Sequence, residues 1–425
     1  MNYSEYPDAA RWNELLRRPV NDPEALESLV WPIMQDVKAR GDEALALYSK
    51  KFDGTLPQVF SAADQAEMIK EIPAALREAI DTAARNIRVF HEAQREKVTV
   101  IETTPGVRCY RKSVAIERVG LYIPGGTAPL FSTVLMLGIP AQLAGCKEIV
   151  LCTPPAAGGT IHPAIAYAAQ VCGINRIFGL GGVQAIAAMA YGTKTIPQVY
   201  KIFGPGNQYV TAAKQLLMKE GIAIDMPAGP SELAVYADET AVPAFVAADL
   251  LSQAEHGADS QTILVSASEK VLKAVIGELD RQLELLPRKD IAGKALENSR
   301  AILVKDETTA MDLLNAYAPE HLILACGNAA ALAEKVVNAG SVFLGNWSPE
   351  SAGDYASGTN HTLPTSGFAR AFSGVSLDSF VKKITFQEIS QEGLKNIGNA
   401  VEIMADAEGL QAHRNAVTIR LQYNP

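Results

Sequence analysis

The runs EIVLC (148–152), RIFGL (176–180) and QVYKIF (198–203) are short and apolar, and Ala-rich stretches with helical spacing separate them. Strands that alternate with helices in this way predict a parallel sheet built from crossover units. A second series of the same kind begins near Leu233 and continues through LAVYA, QTILVS, AILVK, HLILA and SVFLG. The sequence therefore predicts an α/β protein with two domains of similar construction.

The two ends of the chain differ from these series. Residues 22–97 carry apolar positions at helical spacing, and Asp22 and Pro23 suit the first positions of a helix, which predicts an α-helical entry segment. Short strands and turns follow up to Tyr122. The tail from about Phe372 has a helical, mostly polar pattern with too few apolar residues for a core of its own. We expect this tail to dock on another surface.

The composition excludes several classes of function. Of the 425 residues, 48% are hydrophobic and 20% charged, and the net charge of −9 argues against a nucleic acid or an anionic membrane as the main partner. The longest uncharged run, Val119 to Cys146, contains prolines and glycines that a lipid-exposed helix tolerates poorly, so no membrane span is predicted. The opening MNYSEYPDAARW lacks the regions of a signal peptide, which predicts a cytoplasmic location. Small molecules remain as the default ligands.

Two glycine-rich turns suggest a site for a phosphate group. GLGG (179–182) follows a strand and begins a helix, but it lacks the third glycine of a dinucleotide fingerprint. Such a site also needs an acid about 20 residues further on, yet no Asp or Glu occurs between Ile149 and Lys219. FGPGN (203–207) is a second turn of this type, and the helix that follows can present backbone amides to a polyanion. The alternative is that these glycines only make tight turns.

Residues with metal-binding chemistry lie in the second half of the chain. Gln253 and His256 are three apart in LLSQAEHG, so on a helix they face the same side. A histidine that is favoured by the negative end of a helix is the alternative. The loop SPESAGDYASGTNH follows a predicted strand and holds Asp354, Asn360 and His361, although its small residues also suit ordinary turns.

Two further pairs carry acid–base groups. Glu320 and His321 are adjacent in PEHL, and they can flank one substrate only if the strand begins after Glu320, because adjacent strand residues point to opposite faces. Glu408 and His413 are five apart in AEGLQAHRN, so they suit different partners unless Gly409 ends the helix; a solvated helical face is the ordinary alternative. A set of Gln, Asp and two His would suit zinc, although spacing establishes neither the assembly nor the metal.

Seven motifs, taken together and in order, resemble the histidinol dehydrogenase family: GLYIPGGTAPLFSTVLMLGIPA, KIFGPGN, DMPAGPSE, LLSQAEHG, PEHL, NWSPESAGDYASGTNHTLPT and AHRNAV. The resemblance extends from Gly120 to the C-terminus. It implies the last step of histidine biosynthesis, in which L-histidinol passes through bound histidinal to L-histidine while two NAD are reduced in succession. It also implies a homodimer in which the C-terminal tails are exchanged.

The same resemblance implies a division of the chain with two Rossmann-like domains, a helical lead-in and a small helical tail. The implied parts are an N-terminal segment, 1–16; a discontinuous α/β domain with most metal and catalytic residues, 17–121 plus 231–372; an inserted nucleotide-binding domain, 122–230; and a C-terminal helical tail on the partner subunit, 373–425.

Site residues also follow from the resemblance. His321 is implied as the base that takes the alcohol proton, and Glu320 as the base that activates water on the aldehyde carbon. The implied nucleotide residues are Tyr122, Gln184 and Asn207. One zinc ion per subunit is implied, with the ligands Gln253, His256, Asp354 and, from the partner subunit's tail, His413. The implied substrate-binding residues are Ser231, Gln253, His256, His321, Asp354, Glu408 and His413.

Two alternatives remain open at this point. A zinc-dependent hydrolase with Glu320 activating water would use the same ligands and ignore the glycine turns. A nucleotide-binding regulatory protein would use the turns and leave the PEH and QxxH groups without a role. Formation of reduced nicotinamide from histidinol separates the dehydrogenase from both.

Overall fold

The computed structural model describes residues 1–19, 23–125, 129–156 and 158–423. The strands of this part of the chain form three sheets. In chain order they are β1 Asn2–Glu5, β2 Gln58–Phe60, β3 Val100–Thr104, β4 Val107–Ala115, β5 Arg118–Tyr122, β6 Glu148–Thr153, β7 Ile177–Gly179, β8 Lys201–Phe203, β9 Ala223–Ile224, β10 Glu232–Ala237, β11 Gln261–Ser266, β12 Arg300–Leu303, β13 His321–Ala325, β14 Ser341–Leu344 and β15 Val381–Ile389.

Local chemistry marks several helix starts. Pro163 and Pro243 each occupy a first helical position, and Ser61 forms a capping box with Asp64. None of the helices in the described ranges is long and apolar enough to cross a membrane. In chain order the helices are α1 Trp12–Leu15, α2 Pro23–Arg40, α3 Asp42–Phe52, α4 Ala62–Ile69, α5 Ala74–Glu92, α6 Phe131–Ala144, α7 Pro163–Val171, α8 Gly182–Tyr191, α9 Gln208–Lys219, α10 Pro243–Ala254, α11 Glu269–Leu283, α12 Lys289–Glu297, α13 Glu307–Tyr317, α14 Ala329–Ala333, α15 Glu350–Tyr355, α16 Gln391–Ala407 and α17 Gln411–Gln422.

The first sheet has the strand order β2-β7-β6-β5-β8-β9. Strands β5 to β9 are parallel, whereas β2 pairs antiparallel with β7. Val119 and Leu121 in the central strand β5 are fully buried, because α4 to α7 pack on one face while α2, α3, α8 and α9 pack on the other. The runs at 148–152, 176–180 and 198–203 contain β6, β7 and β8, so the predicted parallel sheet is confirmed.

The second sheet, with the order β1-β12-β11-β10-β13-β14, is parallel throughout. Five strands of each sheet therefore follow the same parallel order, which reverses beside the central strand: between β5 and β8, and between β10 and β13. The sixth strand is antiparallel in the first sheet and parallel in the second. The prediction of two α/β series of similar construction is confirmed at the level of the two sheets. Strand β1 was not predicted, because NYSE at residues 2–5 has no alternation of apolar and polar residues. It is a strand because its backbone pairs with that of β12.

The prediction of a purely helical tail was incomplete. Val381 pairs with Ala115 and Ile389 with Val107, so β15 lies antiparallel along β4 in a three-stranded sheet before α16 and α17 begin. Its partner strand is far away in the sequence, and the local pattern did not reveal the pairing. The entry segment is helical as predicted apart from β2, and the predicted cap Asp22 lies outside the described residues.

The entry segment also packs on the first sheet. Val30 and Met34 of α2 share a buried cluster with Ile186 of α8, and Ile80 of α5 shares another with Val134 of α6. These are contacts between the predicted segment 17–121 and the predicted inserted domain. The division into domains at 122 and 230 stays a prediction.

Candidate active site

A cavity of about 1030 Å³ lies at the carboxyl edge of the first sheet. The strand order reverses there between β5 and β8, which is where open α/β sheets bind their ligands. Tyr122 ends β5, Gln184 lies on α8, and Asn207 precedes α9. All three side chains line this cavity, so the fold brings the predicted nucleotide residues together.

The two glycine turns border the same cavity. Tyr122 Oη accepts a hydrogen bond from the Gly182 N–H at 3.0 Å, and Asn207 Oδ1 caps α9 by accepting from the N–H groups of Tyr209 and Val210. Some of the backbone N–H groups that the sequence analysis assigned to a polyanion are therefore already hydrogen-bonded within the protein. Gly204 has φ +123°, and a Cβ there would lie 2.0 Å from the Tyr122 carbonyl oxygen, so this turn requires glycine.

A buried polar cluster lies at the amino edge of the second sheet. His321 is the first residue of β13 and Glu320 precedes it, so the condition for both to act on one substrate is met. Glu320 Oε2 lies 3.8 Å from His321 Nδ1. The main chain of Glu232 contacts both residues: its N–H donates to Glu320 Oε2 at 2.9 Å, and its carbonyl oxygen lies 3.3 Å from His321 Nδ1. Two adjacent proton acceptors are thus fixed by one peptide segment.

Burial and the charges of the cluster shift the pKa values of Glu320 and His321. Burial raises the pKa of Glu320 to about 7. Burial lowers the pKa of His321, but the carboxylates of Glu350, Glu320 and Asp354 outweigh this effect and raise it to about 10. His321 lies 3.6 Å from Glu350 through Nδ1 and 3.6 Å from Asp354 through Nε2. A cation among these carboxylates would offset their charge and favour the neutral imidazole that a general base requires.

The cluster offers the ligands of a metal ion. One ligand atom each of His256, Glu350 and Asp354 lie within 4.8 Å of one another. Gln253 is fully buried, yet neither atom of its side-chain amide has a hydrogen-bond partner, and the same is true of both Glu350 carboxylate oxygens. A bound cation would supply a partner for these buried polar atoms. Nitrogen and oxygen donors of this kind fit a divalent cation such as zinc.

Two details differ from the sequence prediction. Helix α10 ends at Ala254, so His256 lies just beyond the helix; its N–H bonds the Gln253 carbonyl at 3.2 Å and continues the turn. Glu350 was not singled out, because a glutamate at a helix start is usually a solvated residue that favours the dipole. Glu350 is buried by the tertiary structure, and the local sequence pattern does not predict this burial.

His361 links the cluster to the first sheet. Its Nδ1 lies 2.9 Å from the Asp354 carbonyl oxygen, and its Nε2 lies 3.1 Å from Oγ1 of Thr133 on α6. Helix α6 follows β5, the strand that ends at the cavity. The carboxyl edge of one sheet and the amino edge of the other therefore face a common region, as a reaction between a nucleotide and a second substrate requires.

Comparisons with known proteins agree along nearly the whole chain. The family model described as histidinol dehydrogenase matches residues 16–421. The chain belongs to this family. It is 60% identical over 424 residues to the histidinol dehydrogenase of Bacteroides fragilis, with 99% of each chain covered. The enzyme of Escherichia coli K12 is 50% identical over 418 residues, which cover 97% of this chain and 95% of the relative. A crystal structure of histidinol dehydrogenase from Elizabethkingia anophelis has 55% identity and a TM-score of 0.97, covering 99% of this chain and 98% of that one.

Membership of the histidinol dehydrogenase family confirms the predicted family and fold class, and it supports an oxidoreductase role in histidine biosynthesis with a small-molecule substrate.

Ser231, a predicted substrate residue, precedes β10 next to Glu232. Glu408 and His413 remain apart from the cluster: both are exposed in the tail, where Gly409, with φ +73°, separates α16 from α17. Within the described chain the predicted site is therefore incomplete on this side.

Proposed function

We propose that this chain catalyses the NAD-dependent, four-electron oxidation of L-histidinol to L-histidine through L-histidinal. The observation that carries the proposal is the fixed pair Glu320 and His321 beside the candidate metal ligands. The two oxidations remove protons from two different oxygens, that of the alcohol and that of the water that adds to the aldehyde. Two adjacent bases of different basicity meet this requirement.

In the first oxidation His321 accepts the alcohol proton at Nε2 while a hydride leaves for the nucleotide. With a proton on Nδ1 directed at the Glu232 carbonyl oxygen, Nε2 is the nitrogen that can accept; no hydrogen bond occupies it, and the Asp354 carboxylate lies 3.6 Å away. In the second oxidation Glu320 takes a proton from water as it adds to the aldehyde carbon, and a second hydride leaves. Each histidinol therefore yields two reduced nucleotides and one carboxylate.

We propose one zinc ion per subunit, held by Gln253, His256, Asp354 and the partner subunit's His413; when bound, zinc would hold the imidazole and amine of the substrate. Ser231, His321 and the partner subunit's Glu408 complete the substrate contacts that we propose. Tyr122, Gln184 and Asn207 hold the nucleotide, because they line the cavity at the reversal of the first sheet.

The proposal includes a homodimer with exchanged tails. His256 is exposed in the single chain although it belongs to the metal cluster, and the tail presents exposed apolar side chains such as Ile403, Met404 and Ile419. A partner's tail that covers His256 would bury these groups and supply the remaining ligand. A cytoplasmic location remains an expectation from the sequence.

The experiment is an assay of the purified, zinc-loaded protein with histidinol and NAD, with and without a chelator. We expect two reduced nucleotides per histidinol and loss of turnover when the metal is removed. A metal-loaded protein that forms no reduced nucleotide from histidinol would overturn the proposal. Hydrolytic activity without nucleotide would then favour the hydrolase.

A further inference from the structure

The acid that the sequence around GLGG lacks is supplied from another part of the fold. Asp53 directly follows α3 in the entry segment and lines the cavity together with Tyr122 and Gln184. Among the described residues that line the cavity, Asp53 carries the one carboxylate. The segment from Ile149 to Lys219 contributes none, since it contains no Asp or Glu.

The contacts of Asp53 hold it against the glycine turn. Its backbone N–H bonds the Ser49 carbonyl at 2.8 Å and caps α3. Its carboxylate accepts a hydrogen bond from Gln184 Nε2 on α8 at 3.4 Å. A Cβ on Gly181 would lie 3.2 Å from Asp53 Oδ1, so the absence of a side chain there permits the close approach. Helix and turn thus fix the carboxylate in the wall of the cavity.

This carboxylate has unused acceptor capacity. An ionised carboxylate offers about four lone-pair sites, and the bond from Gln184 leaves room for at least two more donors. In dinucleotide sites an Asp or Glu that follows the glycine turn in sequence hydrogen-bonds the 2′-hydroxyl of a ribose, and a carboxylate in that place repels the like charge of a 2′-phosphate. Burial raises the pKa of Asp53, so additional hydroxyl donors would stabilise its ionised form.

We infer that Asp53 binds the vicinal hydroxyls of a ribose of the nucleotide and so selects NAD over NADP. The inference rests on the proposed nucleotide-dependent function and assigns to it a specificity residue from the entry segment. It explains why the acid-free segment between Ile149 and Lys219 can still form part of a dinucleotide site. It also gives the packing of α2 and α3 on the first sheet a role in binding.

The test measures binding by calorimetry to the intact protein and to Asp53→Ala and Asp53→Asn. The probes are AMP, 2′-deoxy-AMP, 3′-deoxy-AMP and nicotinamide mononucleotide, so that the adenosine and nicotinamide riboses are distinguished, followed by NAD and NADP. Loss of hydrogen bonds to a charged acceptor should weaken the binding of the affected mononucleotide to Asp53→Ala by about 10- to 100-fold. Asp53→Asn should narrow the preference for NAD over NADP. Glu43→Ala, an exposed acid on the same helix, is the matched control.

The deoxy-nucleotides separate direct contact from positioning. If AMP is the affected ligand, removal of a hydroxyl should weaken binding to the wild-type protein but not to Asp53→Ala. Equal sensitivity of both proteins to all hydroxyl removals, or unchanged mononucleotide binding by Asp53→Ala, overturns the inference while the proposed function stands. If the wild-type protein binds none of these nucleotides, the nucleotide part of the proposed function fails and the inference fails with it.

Discussion

The backbone N–H of Glu232 donates to Oε2 of Glu320 at 2.9 Å, so the position of the proposed water-activating base depends on a neighbouring strand. The Glu232 side chain is itself held by Arg18, with Nε–Oε1 at 2.5 Å and Nη2–Oε2 at 2.9 Å, and it accepts from the Ser366 N–H at 2.7 Å. Arg18 also donates to the Tyr317 carbonyl oxygen at 2.7 Å. A residue near the N-terminus thus supports the centre of the site.

Replacing Arg18 with Met should therefore affect both stability and catalysis. Glu232 would be left buried without its counter-ion, which should lower the free energy of unfolding by about 3–5 kcal/mol. Displacement of the Glu232 main chain should slow the oxidation of histidinal more than the binding of histidinol. Arg18→Met combined with Glu232→Gln should recover stability, because no buried charge remains unpaired. Denaturant unfolding and separate kcat and KM values measure this, with exposed Arg17→Met as the control.

The α/β core could be predicted from the sequence because the spacing of apolar residues differs between strands and helices. The runs QTILVS and HLILA coincide with β11 and β13, since both strands are buried on both faces and need apolar residues throughout. Strands β1 and β15 escaped prediction because distant backbone partners decide them.

The site, like the fold, contains residues that the sequence predicted and residues that it did not. Glu320 and His321 are adjacent in the chain, so their proximity was open to prediction. Asp53, Glu350 and the ion pair at Glu232 were missed because their importance comes from burial and from contacts across the sheets. A solvated acid and a buried acid of the same type look alike in a sequence.

Removal of the metal should abolish turnover while the α/β cores remain folded. Chelator or mild acid should release it, because histidine ligands bind metal only when neutral. His256→Asn and Asp354→Asn should lose metal for the same reason. Elemental analysis combined with thermal unfolding tests this, with exposed Asp259→Asn as a control that keeps the metal. Full activity in a protein verified to be free of metal would contradict the site.

Mixed dimers should test whether the site is shared. His256→Asn and His413→Asn should each be inactive alone, since each lacks one proposed ligand. After subunit exchange, a hybrid dimer has one site in which both defects meet and one that is intact, so part of the activity should return. Exchange is verified with subunits of distinguishable mass. If exchange is complete and activity stays absent, each site lies within one chain.

Acid should loosen the attachment of β15 through Glu96. The Lys383 Nζ lies 2.6 Å from Glu96 Oε2, and together with Arg111 it lowers the pKa of Glu96 to about 2. A carboxylate whose pKa is lower in the folded state stabilises the fold above its unfolded pKa of about 4.3. That contribution is lost as the pH falls toward about 2.

Glu96→Gln should therefore unfold at a lower temperature than the wild type near neutral pH, and the difference should shrink below about pH 4.3. Thermal melts between pH 2 and 7 measure it, with exposed Glu71→Gln as the control. A difference that is independent of pH would assign the effect to packing and not to the ion pair.

Separate measurements of the two oxidations should distinguish the roles of the two proposed bases. His321→Asn removes the acceptor of the alcohol proton, so oxidation of histidinol should fall by about 10²- to 10⁴-fold, the usual contribution of a positioned base. Glu320→Gln keeps the shape of the side chain and retains an oxygen that can accept from the Glu232 N–H, but it cannot take a proton from water. Oxidation of supplied histidinal should therefore suffer more than oxidation of histidinol in this variant. Stopped-flow measurements of nucleotide reduction from each substrate make the comparison. Equal losses in both half-reactions of Glu320→Gln would mean that Glu320 orients His321 and that another group activates water.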